Sequence, residues 1–295
     1  MFKILVPVDL TEDSVKASNY ALAFATAAPQ AQILLLHCYQ DYLADADDDV
    51  VPPFEMTASE EITERILYRN VNEAQDQLEK LYQQLRAAAA TRNIHTHLER
   101  AFMHGLPEDV ILDEARRFKP DLVVMGTKGE SNIARSFFGT VTTKIAQSLD
   151  IPILTIPDTY PNKHLKKAVY AACLEKEDAQ SVSRMLQLLK PCTPEMHCVH
   201  VTKNGSSIQS NEDFHRLQRT IRDSNPEAKI TYTLLKGNSV SEALKEFLQG
   251  QQIDLLALTT HKRSLLGNLL HPSLTQKLIL TSEVPLLIFH TNGQT

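Results

Sequence analysis

A chain of 295 residues is long enough for two domains of ordinary size, each with a buried core of its own. With 43% hydrophobic and 22% charged residues, nine glycines and no tryptophan it reads as globular, and a net charge of -6 argues against a general nucleic-acid binder. The opening run MFKILVPVDL meets charge too early for a signal peptide or a membrane span, and Cys38, Cys173, Cys192 and Cys198 form no CxxC pair, so the expectation is a cytoplasmic protein with no membrane partner.

Phe2 to Val8 is an apolar run of strand length, and Thr11-Glu12-Asp13-Ser14 reads as a loop before a helix from Val15 to Ala27. Ile33 to Cys38 is the next buried strand. The stretch from Asp41 to Glu61 holds Asp45, Asp47, Asp48 and Asp49 and then Val51-Pro52-Pro53, and reads as an acidic surface loop. From Ser59 to about Ala90 a helical period returns, with Ile62, Ile66, Val71, Leu78, Leu81 and Leu85 along one face. His95 to Phe102 is a strand, and Pro107 opens a helix that runs to Phe118 and stops before Pro120. Asp121 to Gly126 and Ile151 to Ile156 are strands apolar along their length, as the central strands of a parallel sheet are. Asp158-Thr159-Tyr160-Pro161-Asn162 reads as a linker.

After the linker the chain begins again. Lys3 to Asp9 aligns with Lys167 to Cys173 at a spacing of 164, whereas Asp121 to Met125 aligns with Asp254 to Leu258 at 133, as do residues 151–156 with 284–289. The difference of 31 residues falls in the acidic loop and the long helix after it. Alternating strands and helices in each copy predict an α/β fold: two tandem doubly wound, mostly parallel five-stranded sheets with helices on both faces, one over residues 1–158 and one over 165–295.

Cys192, His197, Cys198 and His200 crowd into nine residues, and both residue types bind zinc. The alternation in Met196-His-Cys-Val-His-Val201 is that of a strand, and no second ligand pair has finger spacing, so no metal site is expected there.

The chemistry concentrates after Met125, where GTKGESNIARSFFGTVTTK spells G-x2-G-x9-G-S/T from Gly126 to Thr140. In doubly wound sheets ligands bind at the carboxyl ends of strands, where a helix presents free N–H groups to an anion. Gly126 and Gly129 would let the backbone approach a phosphate, Gly139 and Thr140 open a helix from Val141 to Ser148, and Lys128 adds positive charge. Glycines between packed elements also serve simply as turns. The spacing, after a strand and before a helix, favours the phosphate reading.

These residues resemble the universal stress protein family over nearly the whole chain, twice. The resemblance implies an adenine nucleotide alpha hydrolase-like fold and ATP, bridged by magnesium or manganese, as the ligand. It implies that Pro7-Val8-Asp9 matches the family's Pro-x-Asp, with Asp9 at the ribose or base end. It implies that the backbone at His37-Cys38 receives the adenine, that Met125 borders the site, and that Val141 and Thr142 lie around the phosphates. Asp9 is equally a residue type expected at a turn or helix start. His37 has no nucleophile nearby to activate and is given no chemistry. The resemblance also implies that the last strands of the two copies pair with each other, so that the tandem imitates a dimer; a homodimer of whole chains is left open.

The second copy departs at each decisive point: Gly126 becomes Thr259, Gly129 becomes Lys262, Gly139 becomes Pro272 and Asp9 becomes Cys173, while Ser273 stands opposite Thr140. Pro272 removes an N–H donor, and a lysine tolerates a left-handed backbone only at a cost of about 1 kcal/mol or more. The expectation is a regulatory protein that binds an adenine nucleotide in its first half alone and is read by a protein partner. The alternative is a slow ATP hydrolase or nucleotide transferase in which Asp9 and the acidic loop hold a metal.

Overall fold

The computed structural model describes residues 1–25, 30–39, 58–127, 140–161, 165–202, 208–261 and 283–291. The first half runs β1 (Lys3–Pro7), α1 (Glu12–Ala25), β2 (Ala31–Tyr39), α2 (Ala58–Thr91), β3 (Thr96–His104), α3 (Pro107–Phe118), β4 (Leu122–Gly126), α4 (Thr140–Ser148) and β5 (Ile153–Ile156). The second runs β6 (Lys167–Ala171), α5 (Asp178–Leu189), β7 (Glu195–Thr202), α6 (Ile208–Ser224), β8 (Ile230–Lys236), α7 (Val240–Gln251), β9 (Leu255–His261) and β10 (Leu286–Thr291). The spacings of 164 and 133 read from the sequence are those of β1 to β6 and of β4 to β9. Most of the acidic stretch lies outside the described residues, and α2 begins at Ala58.

The strand order is β3-β2-β1-β4-β5-β10-β9-β6-β7-β8. Each half is a parallel five-stranded sheet whose order reverses beside its first strand, the topology that leaves a crevice at the strand carboxyl ends. The two sheets are fused into one. β10 runs antiparallel to β5, with Ile153 opposite Ile288, Leu154 opposite Leu287 and Thr155 opposite Leu286. The ladder closes two edges that would otherwise expose unpaired peptide groups.

The core follows from this fusion. On the face covered by α1, α2, α5 and α6, a single apolar cluster runs from Ile33 and Leu85 in the first half to Phe214 and Ile221 in the second, across the β5–β10 seam. On the other face the core is divided, with Ile111, Phe118 and Ile145 in one cluster and Leu244, Leu248 and Ile253 in another. A fully buried leucine or isoleucine contributes about 1.5–3 kcal/mol, so the shared cluster couples the two halves where two separate cores were expected. Tyr160, in the stretch that reads as a linker, is buried and meets Tyr20 of α1 edge to face at 6.1 Å between ring centroids.

Helix boundaries obey local chemistry. α1 starts three residues before the expected Val15, because Glu12 and Asp13 sit favourably at the positive end of the helix dipole. α3 starts at Pro107 and ends at Phe118, with Lys119 in a left-handed cap. α7 ends in the same way at Gln252, 133 residues further on. Leu10 and Leu174 also share a left-handed backbone, at φ 64° and 66°, as do Gln30 and Thr193. None of these residues is glycine, so the backbone repeats more strictly than the side chains do. Among the described residues no helix is long and apolar enough to cross a membrane.

Candidate functional site

The carboxyl ends of β1, β2 and β4 bring Pro7, Asp9, Cys38, Met125 and Gly126 to one end of the first half, next to the start of α4. The loop from β1 to α1 is held by its own residues. Asp9 Oδ1 accepts from the Thr11 backbone N–H at 3.1 Å and from the Thr11 hydroxyl at 2.6 Å, forming an Asx-type turn before α1. Both bonds fall on Oδ1, and Oδ2 takes part in neither. Leu10, between them, pays a cost of about 1 kcal/mol for its positive φ. The second half keeps that conformation at Leu174 although Cys173 stands in place of the aspartate, so the turn belongs to the fold rather than to a ligand.

Gly126 closes β4 directly beneath the first turn of α1. A Cβ there would lie 3.2 Å from the carbonyl carbon of Asp13 and 3.3 Å from its Cβ. Helix and strand end therefore approach as closely as they do because position 126 has no side chain. Met125, one residue earlier, is buried against the α3–α4 face. Lys128, Gly129 and Gly139 lie outside the described residues. Thr140 is the first residue of α4. Val141 is half-buried in the α3–α4 core and Thr142 is buried, so the side chains of both turn inward and only their backbone N–H groups belong to the open end of the helix.

At the end of β2, Cys38 is half-buried, and burial pushes its thiol up to about 12, which keeps it neutral and unreactive at neutral pH. Its neighbour His37 does something the sequence did not reveal. His37 Nδ1 lies 2.8 Å from the carbonyl oxygen of Val8, and a carbonyl can only accept, so Nδ1 carries the proton and donates it. The imidazole thereby takes the acceptor that the next rung of the β1–β2 ladder would have used, just where Val8 N–H makes its last bond to Leu36 O. The ring stacks on Phe102, which stacks in turn on Tyr39 at 4.6 Å. In the second half His200 Nδ1 lies 2.8 Å from Ala172 O at the equivalent place. A histidine at the same position of both copies was the signal available in the sequence.

The crowded residues in and before β7 take separate places. Cys198 lies in the shared core, His200 is committed to Ala172 O, and Cys192 belongs to a short 3-10 turn after α5.

The same strand ends are built differently in the second half. Thr259 replaces Gly126, and its hydroxyl lies 2.7 Å from the hydroxyl of Tyr170, which replaces Val6. The Tyr170 hydroxyl donates to Asp178 Oδ1 at 2.6 Å, and Asp178 replaces Ser14. Asp178 Oδ2 accepts from the Glu175 N–H at 3.1 Å. Burial raises the Asp178 carboxyl despite these hydrogen bonds, and burial together with the Asp178 charge holds Tyr170 well above its ordinary range. The counterparts of Gly129, Gly139 and Thr140, which are Lys262, Pro272 and Ser273, lie outside the described residues. Asp121 and Asp254, at the opposite ends of β4 and β9, accept from the backbone N–H of Lys3 and of Lys167 and are structural in both copies.

Comparison with known proteins agrees with the fold. The model of the universal stress protein family matches residues 1–157 and 175–290. A universal stress protein of Methanocaldococcus jannaschii is 27% identical over 154 residues, covering 52% of this chain and 81% of that protein. The Bacillus subtilis universal stress protein YxiE is 25% identical over 154 residues, covering 52% and 97%. Among solved structures, a universal stress protein from Archaeoglobus fulgidus superposes with a TM-score of 0.69 at 16% identity, covering 98% of each chain, and shares the tandem fold.

Proposed function

The chain belongs to the universal stress protein family, and on that premise we propose that it is a regulatory protein that binds one adenine nucleotide, ATP, in its first half and none in its second. The observation that carries this reading is the contrast at one strand end: Gly126 leaves a bare backbone beside Asp13, where the second half places Thr259 against the buried Tyr170 hydroxyl. In the first half the residues present fit a nucleotide. The N–H groups at the start of α4, from Thr140 through Val141 and Thr142, have no helical acceptors and favour an anion. Gly126, Gly129 and Gly139 would bring backbone close to the phosphates, with Lys128 beside them. Asp9 would meet the ribose or base through Oδ2 while Oδ1 stays with Thr11. The peptide of Cys38 would receive the adenine next to Pro7.

Magnesium or manganese bridging the phosphates would neutralise their charge. Binding rather than turnover is the proposed business of the site, in the cytoplasm, with nucleotide occupancy read by a protein partner. Acid extraction of the purified protein followed by chromatography is expected to release adenine nucleotide, and Asp9→Ala is expected to lower ATP affinity about tenfold, or about 1.4 kcal/mol. A chain that neither carries nor binds ATP would overturn the reading. Sustained phosphate release that Asp9→Ala abolishes would make the protein a slow ATP hydrolase instead.

A further inference from the structure

Among the substitutions that separate the strand ends of the two halves, three meet in space. Val6, Ser14 and Gly126 in the first half correspond to Tyr170, Asp178 and Thr259 in the second, by the spacings of 164 and 133 that relate the halves. In the first half these three positions make no side-chain link between elements among the described residues. Val6 is apolar, Gly126 has no side chain, and the Ser14 hydroxyl donates back to Thr11 O within its own turn at 3.0 Å. In the second half the replacements form a single hydrogen-bonded chain. The Thr259 hydroxyl on β9 donates to the Tyr170 oxygen on β6, the Tyr170 hydroxyl donates to Asp178 in the first turn of α5, and Asp178 accepts the Glu175 N–H of the connecting loop. Only this order uses each proton once and ends on an acceptor without a proton of its own. Tyr170 is fully buried and Asp178 is 1% exposed, so the bond between them is shielded from water, while the bonds to Thr259 and to the Glu175 N–H are part-buried. α5 also starts at Asp178, two residues later than the register of α1 would place it.

We propose that Tyr170, Asp178 and Thr259 are an internal latch that ties β6, β9 and α5 together without a ligand, so that this end of the second half is held closed by the protein's own side chains. A ligand at the strand ends of a doubly wound sheet does its work by bridging the loop after the first strand to the loop after the fourth. The latch links the first strand, the fourth strand and the first helix of the second half through the protein's own side chains. The second half then serves as a fixed reference, joined to the first through the shared core. The latch stands on geometry in the second half alone and does not depend on nucleotide binding in the first.

Hydrogen–deuterium exchange of the full chain, without nucleotide, tests it. Tyr170→Phe keeps the ring and removes the hydroxyl that links the other two residues. Exchange at residues 174–182 is expected to accelerate tenfold or more, while residues 12–18 and 107–118 exchange as before. Thr259→Val, nearly isosteric, cuts one bond of the chain and is expected to shift the same segment in the same direction, so the comparison survives if Tyr170→Phe fails to fold. Saturating ATP is expected to leave residues 174–182 of the unsubstituted protein unchanged. Unaltered exchange at 174–182 in either folded variant, acceleration spread equally over both halves, or slowing of that segment by ATP would each overturn the latch. Since the variants are compared without nucleotide, a failure of ATP binding would leave their outcome intact.

Discussion

Gly126 and Asp13 meet so closely that a Cβ on the glycine would stand 3.2 Å from the aspartate's carbonyl carbon. The contact is to backbone, so a side chain at 126 cannot be accommodated by a rotamer change; the start of α1 must shift by a few tenths of an ångström. Gly126→Ala is expected to destabilise the protein by about 1–2 kcal/mol, as overpacking does, and to lower Tm by several degrees in thermal unfolding followed by circular dichroism. Gly126→Thr, which copies position 259 without its partners, is expected to cost more. A Tm unchanged in Gly126→Ala would mean that α1 yields freely and that the glycine is kept for a ligand alone.

His37 and His200 each direct Nδ1 at a carbonyl oxygen 2.8 Å away. Nitrogen-detected magnetic resonance of the imidazoles, at a pH where both are neutral, is expected to show the Nδ1-protonated tautomer for the two rings. His37→Ala is expected to destabilise by about 1 kcal/mol, the ordinary worth of such a bond, through the loop that carries Asp9. Finding the Nε2-protonated tautomer at either ring would contradict the hydrogen bond.

Burial raises the Asp178 carboxyl, so the folded protein holds this proton more tightly than the unfolded chain does. Between the ordinary carboxylate value of about 3.9 and the raised value, folding takes up protons, and the contribution of this group to stability falls as pH rises through that window. Asp178→Asn keeps an acceptor for Tyr170 and removes the titration. The difference in Tm between the two proteins is therefore expected to move in favour of Asp178→Asn as pH rises from about 4, and to level off once the native carboxyl has ionised. A difference constant with pH would contradict the burial of an ionising group at this place.

Much of the fold was legible because strand and helix periods differ and because the chain says most things twice. The spacings of 164 and 133 named β1 with β6, β4 with β9 and β5 with β10, and Pro107 marked the start of α3. The union of the two sheets into one core was only partly legible, since pairing through β5 and β10 followed from resemblance while Tyr160 looked like a linker residue. Of the candidate site, Gly126 was found for one reason and proves to have a second: the glycine pattern pointed to an anion, whereas the close neighbour is Asp13. Tyr170, Asp178 and Thr259 escaped because Thr259 was read only as a lost glycine, Tyr170 only as part of an aligned strand, and Asp178 not at all. Their signal was correlated, three polar gains at positions brought together only by the fold. The left-handed leucines 10 and 174 could not be seen, because leucine gives no hint of a positive φ.

One nucleotide site per chain, in the first half, sets a definite stoichiometry. Isothermal titration calorimetry of ATP with magnesium into the full chain is expected to give a stoichiometry of one, and Gly139→Pro, which carries the second half's Pro272 into the first, is expected to abolish the binding heat while the Tm of the nucleotide-free protein stays within a few degrees. Two sites per chain, or binding undiminished in Gly139→Pro, would contradict it.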